Sequence, residues 1–202
     1  MDKLRFESTL WQKGLTHVAG VDEAGRGPLA GPVVAAAVIF PKGFFLAGVD
    51  DSKKLSHDRR EQLYPQIIRN CTSYGVGVVS VEEIDQINIY QAAMLAMRQA
   101  LAQLAPAAEH VLVDGRNIPQ LELPQTSIIK GDGLSFTIGA ASIIAKVTRD
   151  RIMQDYHRQF PQYGFGAHKG YATPAHLDAL RQYGRCEIHR QSFHPRALES
   201  KT

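Results

Sequence analysis

Apolar and polar positions alternate along the chain in a way that separates short strands from longer helices. Five apolar runs are of strand length and are bounded by glycine, proline or charged residues. They cover residues 18–21, 33–40, 74–81, 111–113 and 126–129. The second run, VVAAAVIF, is apolar at every position, which predicts a strand buried on both faces of a sheet.

Helical spacing appears in four longer stretches. They cover residues 57–70, 84–104, 134–160 and 174–183. Ser56 is placed to cap the first, and Pro65 within it predicts a kink or a break. Asn88 predicts the start of a new segment within the second, and Thr173 is placed to cap the fourth. We expect the tail after Arg196 to fray.

The strands come early in the chain and the helices dominate late, which predicts an α/β fold with a mixed sheet flanked by helices. The chain has 202 residues, of which 44% are apolar and 21% charged, as expected for one globular domain. Within it we expect a core over about residues 15–160 and a helical extension over 161–202.

Nothing in the sequence predicts a membrane segment. No apolar run reaches the length of a membrane helix, and the charged N-terminus lacks the core of a signal peptide. These features predict a cytoplasmic protein. Cys71 and Cys186 fit neither a metal-binding nor a disulfide pattern, so we expect both to be reduced.

Charge is unevenly distributed. From Lys146 onward there are ten Lys and Arg against five Asp and Glu, whereas the rest of the chain has thirteen against fifteen. A basic C-terminal third beside acidic strand ends is typical of a protein that lays a polyanion across a cation site. A solvated basic face would give the same pattern.

The stretch VAGVDEAGRGPLAGP, residues 18–32, organises the chain. An apolar run leads directly into Asp22 and Glu23, and a loop rich in glycine and proline follows. Adjacent carboxylates beside a buried strand repel each other and are costly to desolvate. A bound divalent cation would relieve both effects.

Glycines after a strand are also typical of dinucleotide-binding enzymes, and Asp50 and Asp51 lie where a ribose-binding acid would be expected. Three features oppose this interpretation. Asp22 and Glu23 would repel a pyrophosphate, prolines occupy the place of the phosphate-binding helix, and no crossover helix separates the first two predicted strands.

Two further acids join the first pair. Asp114 ends another predicted strand, and Asp132 lies in a glycine-flanked turn before a helix. Alone, either is as well explained by a turn or a helix cap. Together with Asp22 and Glu23 they predict an all-oxygen site, which favours Mg²⁺ or Mn²⁺ over zinc.

Several sequence blocks resemble those of the type 2 ribonucleases H, in particular bacterial ribonuclease HII, and occur in that family's order over nearly the whole chain. The blocks are DEAGRGPLAGPVVAAAV from Asp22, DDSKKLS from Asp50, VLVDG from Val111, KGD from Lys130, AASIIAKVTRD from Ala140 and FPQYGFGAHKGY from Phe160.

The resemblance implies a ribonuclease H-like fold, with a five-stranded mixed sheet and a C-terminal helical extension. It implies hydrolysis of the RNA strand of RNA–DNA hybrids and nicking on the 5′ side of single ribonucleotides in duplex DNA, in ribonucleotide removal and DNA replication or repair. Asp22, Glu23, Asp114 and Asp132 would hold two divalent ions about 3.5–4 Å apart. The expected products are a 5′-phosphate and a 3′-hydroxyl.

The substrate residues also follow from the resemblance. Gly25, Arg26 and Gly27 match the motif that reads the 2′-hydroxyl, which distinguishes RNA from DNA. Tyr171 matches the tyrosine that stacks on the deoxyribose at the RNA–DNA junction. Candidates for phosphate contacts are Lys53, Lys54, Lys146, Arg149 and Lys169.

His168 is interpreted as a structural or surface residue, and Trp11 as a packing residue. Two other functions remain open: a nucleic-acid-binding module without catalysis, and another nuclease of the same fold, such as a junction resolvase, that needs no 2′-hydroxyl. A monomer is the simplest expectation for the assembly.

Overall fold

Five strands form one mixed sheet in the computed structural model, which describes residues 2–195. The strands are β1 (Val18–Ala24), β2 (Val33–Ile39), β3 (Ser73–Val79), β4 (His110–Asp114) and β5 (Gln125–Ile128). Their order is β3-β2-β1-β4-β5, with β1, β2 and β3 antiparallel and β1, β4 and β5 parallel. The predicted mixed sheet is confirmed, and the predicted fraying after Arg196 lies outside the described residues.

Helices cover both faces of the sheet. They are α1 (Arg5–Gln12), α2 (His57–Asn70), α3 (Val81–Ile87), α4 (Ile89–Ala102), α5 (Phe136–Gln159), α6 (Phe165–His168) and α7 (Pro174–Tyr183), with 3₁₀ turns at Gly131–Gly133 and Pro161–Tyr163. The sequence pattern did not predict α1 or α6. In residues 2–195 no helix is both long and apolar enough to cross a membrane.

The predicted caps explain where the helices begin. The side chains of Ser56 and Thr173 accept hydrogen bonds from the backbone at the starts of α2 and α7. Asn88, at φ 68°, caps α4 and separates it from α3. The prediction missed the capping box of Ser80 and Glu83, which starts α3 three residues before the predicted helix.

The predicted break at Pro65 is wrong, because α2 continues through it. Leu63 and Ile67 lie on either side of this proline and are fully buried against α5. Their burial holds both halves of α2 on the sheet despite the missing N–H donor.

Two glycines in the strands allow the helices to pack unusually close to the sheet. A Cβ added to Gly77 would lie 2.0 Å from the backbone oxygen of Ala96 on α4. On the other face, a Cβ on Gly20 would lie 2.3 Å from the carbonyl carbon of Thr137 on α5. Both glycines therefore permit direct backbone contact between helix and strand.

A separate apolar cluster joins the loop after β1 to the C-terminal segment. Leu29 and Ala30 pack there with Met153, Tyr163 and Phe165. The backbone continues the contact, since Leu29 N–H donates to Gly170 O at 2.8 Å. The C-terminal segment thus packs directly on the glycine-rich loop.

Candidate active site

Three of the predicted acids converge at one edge of the sheet. Asp22, Asp114 and Asp132 each offer a carboxylate oxygen, and these oxygens lie within 4.8 Å of one another. β1 and β4 are parallel neighbours in which Val21 pairs with Val113, so the next residue on each strand is an aspartate at the same level. The geometry thus assembles acids that lie far apart in the sequence.

Asp132 is held by its turn rather than by a strand. Gly131 N–H donates to Asp114 Oδ1 at 2.7 Å, and Lys130 before it adopts a left-handed conformation at φ 58°. Gly139 on α5 leaves room for this turn, because a Cβ there would lie 2.8 Å from Asp132 O. The first turn of α5 and the turn that carries Asp132 are therefore in direct backbone contact.

The electrostatics of this cluster are unfavourable without a cation. Burial raises the pKa of Asp22 well above its usual value, and the neighbouring Glu23 and Asp114 raise it further. Burial also raises the pKa of Asp132, again reinforced by Asp114. Close, desolvated carboxylates that lack a nearby cation resist ionisation.

A divalent cation fits this donor set. The three acids supply only oxygen ligands, and a positive ion would remove the repulsion that raises the pKa values. Lys53 supplies a partial counter-charge: partial burial lowers its pKa, but Asp22, Asp132, Asp51 and Asp114 outweigh that effect and raise it.

Glu23 lies beside the cluster but is not one of its three close members. It follows Asp22 directly on β1, and its charge raises the pKa of Asp22, so the two carboxylates interact. Its Oε1 accepts a hydrogen bond from Arg26 Nη1 at 3.2 Å. Burial raises the pKa of Glu23, and the neighbouring Arg26 partly offsets this rise. Asp114 raises the pKa further, so Glu23 and Asp114 interact electrostatically. Glu23 and Asp114 also line the same cleft, which has a volume of about 500 Å³.

The glycine-rich loop and the predicted stacking tyrosine form two walls of a neighbouring cleft of about 470 Å³. A Cβ added to Gly27 would lie 3.6 Å from Tyr171 Cε1. Gly25 has φ 102°, a conformation that favours glycine. Glu23 and Lys53 also line this cleft, so it adjoins the acids.

The lysines predicted to contact phosphate differ in their surroundings. Lys53 and Lys54 are exposed on the polar loop before α2. Lys146 Nζ donates to Asp150 Oδ1 at 2.7 Å, and Lys169 Nζ donates to Gly166 O. Each of these four lines at least one cleft of the same face.

The prediction that Arg149 contacts phosphate is wrong. Its side chain is 1% exposed and donates to the backbone oxygens of Ala30, Pro32 and Lys169, each at 3.0 Å. Each of its three guanidinium nitrogens donates into the protein, and the buried side chain is not accessible to a nucleic acid.

The sequence model of the family described as Ribonuclease HII matches residues 19–196. The chain belongs to this family. It is therefore a ribonuclease H, an endonuclease of a family that acts on RNA–DNA hybrids. The antiparallel pairing of β1 with β2 independently excludes the dinucleotide-binding arrangement.

Relatives and solved structures agree with the ribonuclease HII family. Ribonuclease HII of Myxococcus xanthus is 57% identical over 95% of this chain and 66% of its own length. That of Geobacillus thermodenitrificans is 55% identical over 95% of this chain and 74% of its own length. The ribonuclease HII solved with PCNA from Archaeoglobus fulgidus superposes with a TM-score of 0.77 at 29% identity, covering 92% of this chain and 98% of that one.

Several residues on this face of the molecule were not predicted from the sequence. Arg190 is buried beneath the glycine-rich loop, and His176 and His189 are buried beneath Tyr171. No local sequence pattern distinguishes Arg190 from the other 22 Lys and Arg residues of the chain. Pairs of residues more than 150 positions apart, such as Arg190 and Gly25, leave no periodic signal in one sequence.

Proposed function

We propose that this ribonuclease H cleaves the RNA strand of RNA–DNA hybrids and nicks duplex DNA on the 5′ side of a single ribonucleotide. The products would be a 5′-phosphate and a 3′-hydroxyl. One observation carries the proposal: the acid cluster and the cleft between Gly27 and Tyr171 are adjacent, and Lys53 lines both. A phosphate at the acids would place its sugar at the glycine-rich loop.

The metal part of the proposal rests on donor chemistry and charge. Asp22, Asp114 and Asp132, with Glu23 beside them, would hold two divalent ions, Mg²⁺ or Mn²⁺. When bound, such ions supply an activated water and neutralise charge on the leaving 3′-oxygen. Because the acids are partly desolvated and repel each other, they gain more from a cation than exposed acids would.

The chain's own residues would orient the substrate. The loop at Gly25, Arg26 and Gly27 offers backbone groups close enough to reach a sugar, and an α-carbon without a side chain allows that approach. Tyr171 is 42% exposed, which leaves a ring face free for a deoxyribose. Lys53 is placed to contact a phosphate beside the acids.

A further cleft extends the proposed path for the duplex. It has a volume of about 700 Å³ and shares Lys146 and Tyr171 with the cleft at the glycine-rich loop. Basic side chains outnumber acidic ones along it: Arg60, Lys146, Arg151 and Lys169 against Glu61 and Asp150, with His57 and His168 also present. This excess favours the phosphate backbone of a nucleic acid.

Other features remain predictions of the sequence. They are a single domain over 1–202 with an extension from residue 161, a monomer, a cytoplasmic location and a role in ribonucleotide removal. The solved Archaeoglobus ribonuclease HII is in a complex with PCNA.

The decisive experiment uses a DNA duplex with one embedded ribonucleotide, an all-DNA duplex of the same sequence and an RNA–DNA hybrid. Each is incubated with Mg²⁺, with Mn²⁺ or with EDTA. We expect metal-dependent nicking 5′ of the ribonucleotide and cutting of the hybrid, with the all-DNA duplex intact.

Each alternative function predicts a different result. Cutting of the all-DNA duplex would support a nuclease that does not need the 2′-hydroxyl. Binding of all three substrates without any cutting would support a binding module instead.

A further inference from the structure

Arg190 is a fully buried arginine that forms no salt bridge within residues 2–195. Its guanidinium donates only to backbone oxygens, and all of them belong to the glycine-rich loop. Nη2 reaches Gly25 O at 2.5 Å, and Nη1 reaches Arg26 O at 3.1 Å and Pro28 O at 2.8 Å. The Phe193 ring lies 4.9 Å from Cζ and covers the guanidinium.

Such an arrangement is costly, because a buried cation without an acid loses its hydration. Burial, with a smaller contribution from the nearby Arg149, lowers the pKa of Arg190 to about 9. The carbonyl oxygens compensate for this cost only while the loop keeps them pointed inward. Arg190 and the loop therefore hold each other in one conformation.

The inward carbonyls determine where the amides point. In a planar trans peptide the C=O of one residue and the N–H of the next point in opposite directions. Since Gly25 O and Arg26 O face Arg190, the N–H groups of Arg26 and Gly27 face away from it. Neither N–H donates to a protein acceptor in the described part of the chain, and both residues are exposed.

Those two N–H groups border the cleft whose other wall is Tyr171. Two adjacent unpaired donors on a backbone segment flanked by Gly25 and Gly27 form a small concave site that binds an acceptor oxygen. The loop alone would not fix them, because Gly25 at φ 102° allows the following peptide to rotate. A rotated peptide would present a carbonyl oxygen to the cleft, so it could no longer donate a hydrogen bond to a hydroxyl oxygen or a phosphate.

We infer that Arg190 is the positioning residue for ribonucleotide recognition: it turns the N–H groups of Arg26 and Gly27 toward the substrate sugar. This inference rests on the proposed function, since it assigns the 2′-hydroxyl of the ribonucleotide as the group that the two N–H donors meet. Arg190 itself contacts no substrate.

The chain provides a matched control in Arg149. This arginine is equally buried and also donates only to backbone oxygens, those of Ala30, Pro32 and Lys169. It does not bond to Gly25 O or Arg26 O, which precede the two amides. A change at Arg149 therefore perturbs the packing of the same loop but removes no hydrogen bond to Gly25 O or Arg26 O.

The test compares Arg190→Lys with Arg149→Lys. Lysine keeps the charge but cannot reach three carbonyls with a planar fork. Dissociation constants are measured in EDTA, so that no strand is cut, for a duplex with one ribonucleotide and for its all-DNA equivalent. We expect Arg190→Lys to lose about tenfold of the preference for the ribonucleotide, as for loss of two hydrogen bonds. Binding of the all-DNA duplex should stay within about twofold.

Arg149→Lys should lower the melting temperature yet retain the preference. Equal loss of the preference in both variants would overturn the inference, because both arginines would then merely stabilise the loop. An unchanged preference in Arg190→Lys would overturn it as well. A wild-type protein that does not nick the ribonucleotide duplex with Mg²⁺ or Mn²⁺ overturns the proposed function. A wild-type protein that nicks it but shows no binding preference overturns only this inference, which distinguishes the two failures.

Two further measurements cover the case in which Arg190→Lys does not fold. Phe193→Leu loosens the guanidinium more gently and should weaken the preference in the same direction. In the wild-type protein, the ¹⁵N–¹H signals of Arg26 and Gly27 should shift more with the ribonucleotide duplex than with all-DNA. Equal shifts with both duplexes would contradict the assignment.

Discussion

Gly20 on β1 lies directly against the backbone of Thr137 in the first turn of α5. A Cβ at Gly20 would come within 2.3 Å of the Thr137 carbonyl carbon, closer than any side chain tolerates. This contact fixes the distance between two parts of the acid cluster, since β1 carries Asp22 and the turn before α5 carries Asp132.

Gly20→Ala should therefore damage both stability and activity. The added methyl group must push α5 away from the sheet, at a cost of about 3 kcal/mol. The same shift separates Asp132 from Asp22, so we expect a loss of cleavage greater than the unfolded fraction explains. Thermal unfolding and cleavage of the hybrid measure the two effects.

The control is Gly14→Ala. Gly14 has φ 89° but nothing within 4 Å of an added Cβ. Gly14→Ala should lower the free energy of unfolding by about 1 kcal/mol through backbone strain alone and leave cleavage unchanged. A Gly20→Ala protein with normal activity would show that α5 does not set the spacing of the acids.

Asp22→Asn should abolish cleavage yet stabilise the metal-free protein at neutral pH. The pKa of Asp22 is raised in the folded state by burial and by Glu23 and Asp114. The unfolded chain therefore loses this proton at a lower pH than the folded protein does. As pH rises from the pKa of the unfolded state through that of the folded state, ionisation of Asp22 lowers the free energy of unfolding, and asparagine avoids this loss. We expect a melting temperature higher by a few degrees in EDTA.

Metal titration gives the complementary result. Mg²⁺ or Mn²⁺ should raise the melting temperature of the wild-type protein, because a ligand of the folded state stabilises it, and Asp22→Asn should lose most of this shift. Asp155→Asn, a surface carboxylate paired with Arg158, should behave as wild type. An Asp22→Asn protein that cuts at the wild-type rate would contradict the metal assignment.

Tyr171→Ala should lower kcat/KM by about 10–100-fold, the usual effect of removing one stacked aromatic ring. Tyr171→Phe keeps the ring and should lose little. The effect should appear mainly in KM for the ribonucleotide-containing duplex, measured by steady-state cleavage. Tyr74→Ala is a suitable control, because Tyr74 is similarly exposed at 41% but lies on β3. Equal effects of the two alanine variants would argue against stacking.

A buried pair of histidines beneath Tyr171 predicts a loss of stability in acid. His176 Nε2 and His189 Nε2 lie 3.0 Å apart, and His176 Nδ1 lies 2.9 Å from Tyr171 O. Cys186 N–H donates to His189 Nδ1, so neutral His189 carries its proton on Nε2 and donates to His176. Protonation of either ring would place two N–H groups face to face.

The sign of the pH effect follows from the shifts. Burial lowers the pKa of His189 to about 4, with a further contribution from His176. The unfolded chain therefore binds protons first, so this stability is complete above about pH 6.5 and is lost as pH falls toward 4. Between pH 7 and 5 the melting temperature should fall by roughly 5 °C. His189→Gln should flatten this slope, whereas His57→Gln on the surface should not; a slope unchanged in His189→Gln would contradict the assignment.

The periodic parts of the fold could be predicted because their signals are local. Ser56 and Asn88 cap helices within three residues of themselves, and the all-apolar β2 could only be a buried strand. Glu7 shows the limit. It is fully buried and accepts hydrogen bonds from Ser135 Oγ and Thr137 N, residues more than 125 positions away. Nothing near Glu7 in the sequence indicates that its helix anchors α5.

The candidate site shows the same division. The acids could be chosen because chemistry restricts them, and the resemblance to ribonuclease HII supplied the loop and Tyr171. Arg149 was assigned to phosphate because an arginine looks the same in sequence whether it faces solvent or backbone carbonyls. Only its burial and its three carbonyl partners reveal that it supports the loop from behind.

The sheet order has a consequence for when the site forms. The antiparallel strands β1, β2 and β3 lie within residues 18–79, so they can pair early as the chain emerges during synthesis. Asp114 and Asp132 are synthesised later, and their carboxylates meet Asp22 only once β4 and α5 dock. We expect the repulsion among the acids to oppose this late docking step. Divalent ions that bind the acids would reduce the repulsion and accelerate the last step of folding.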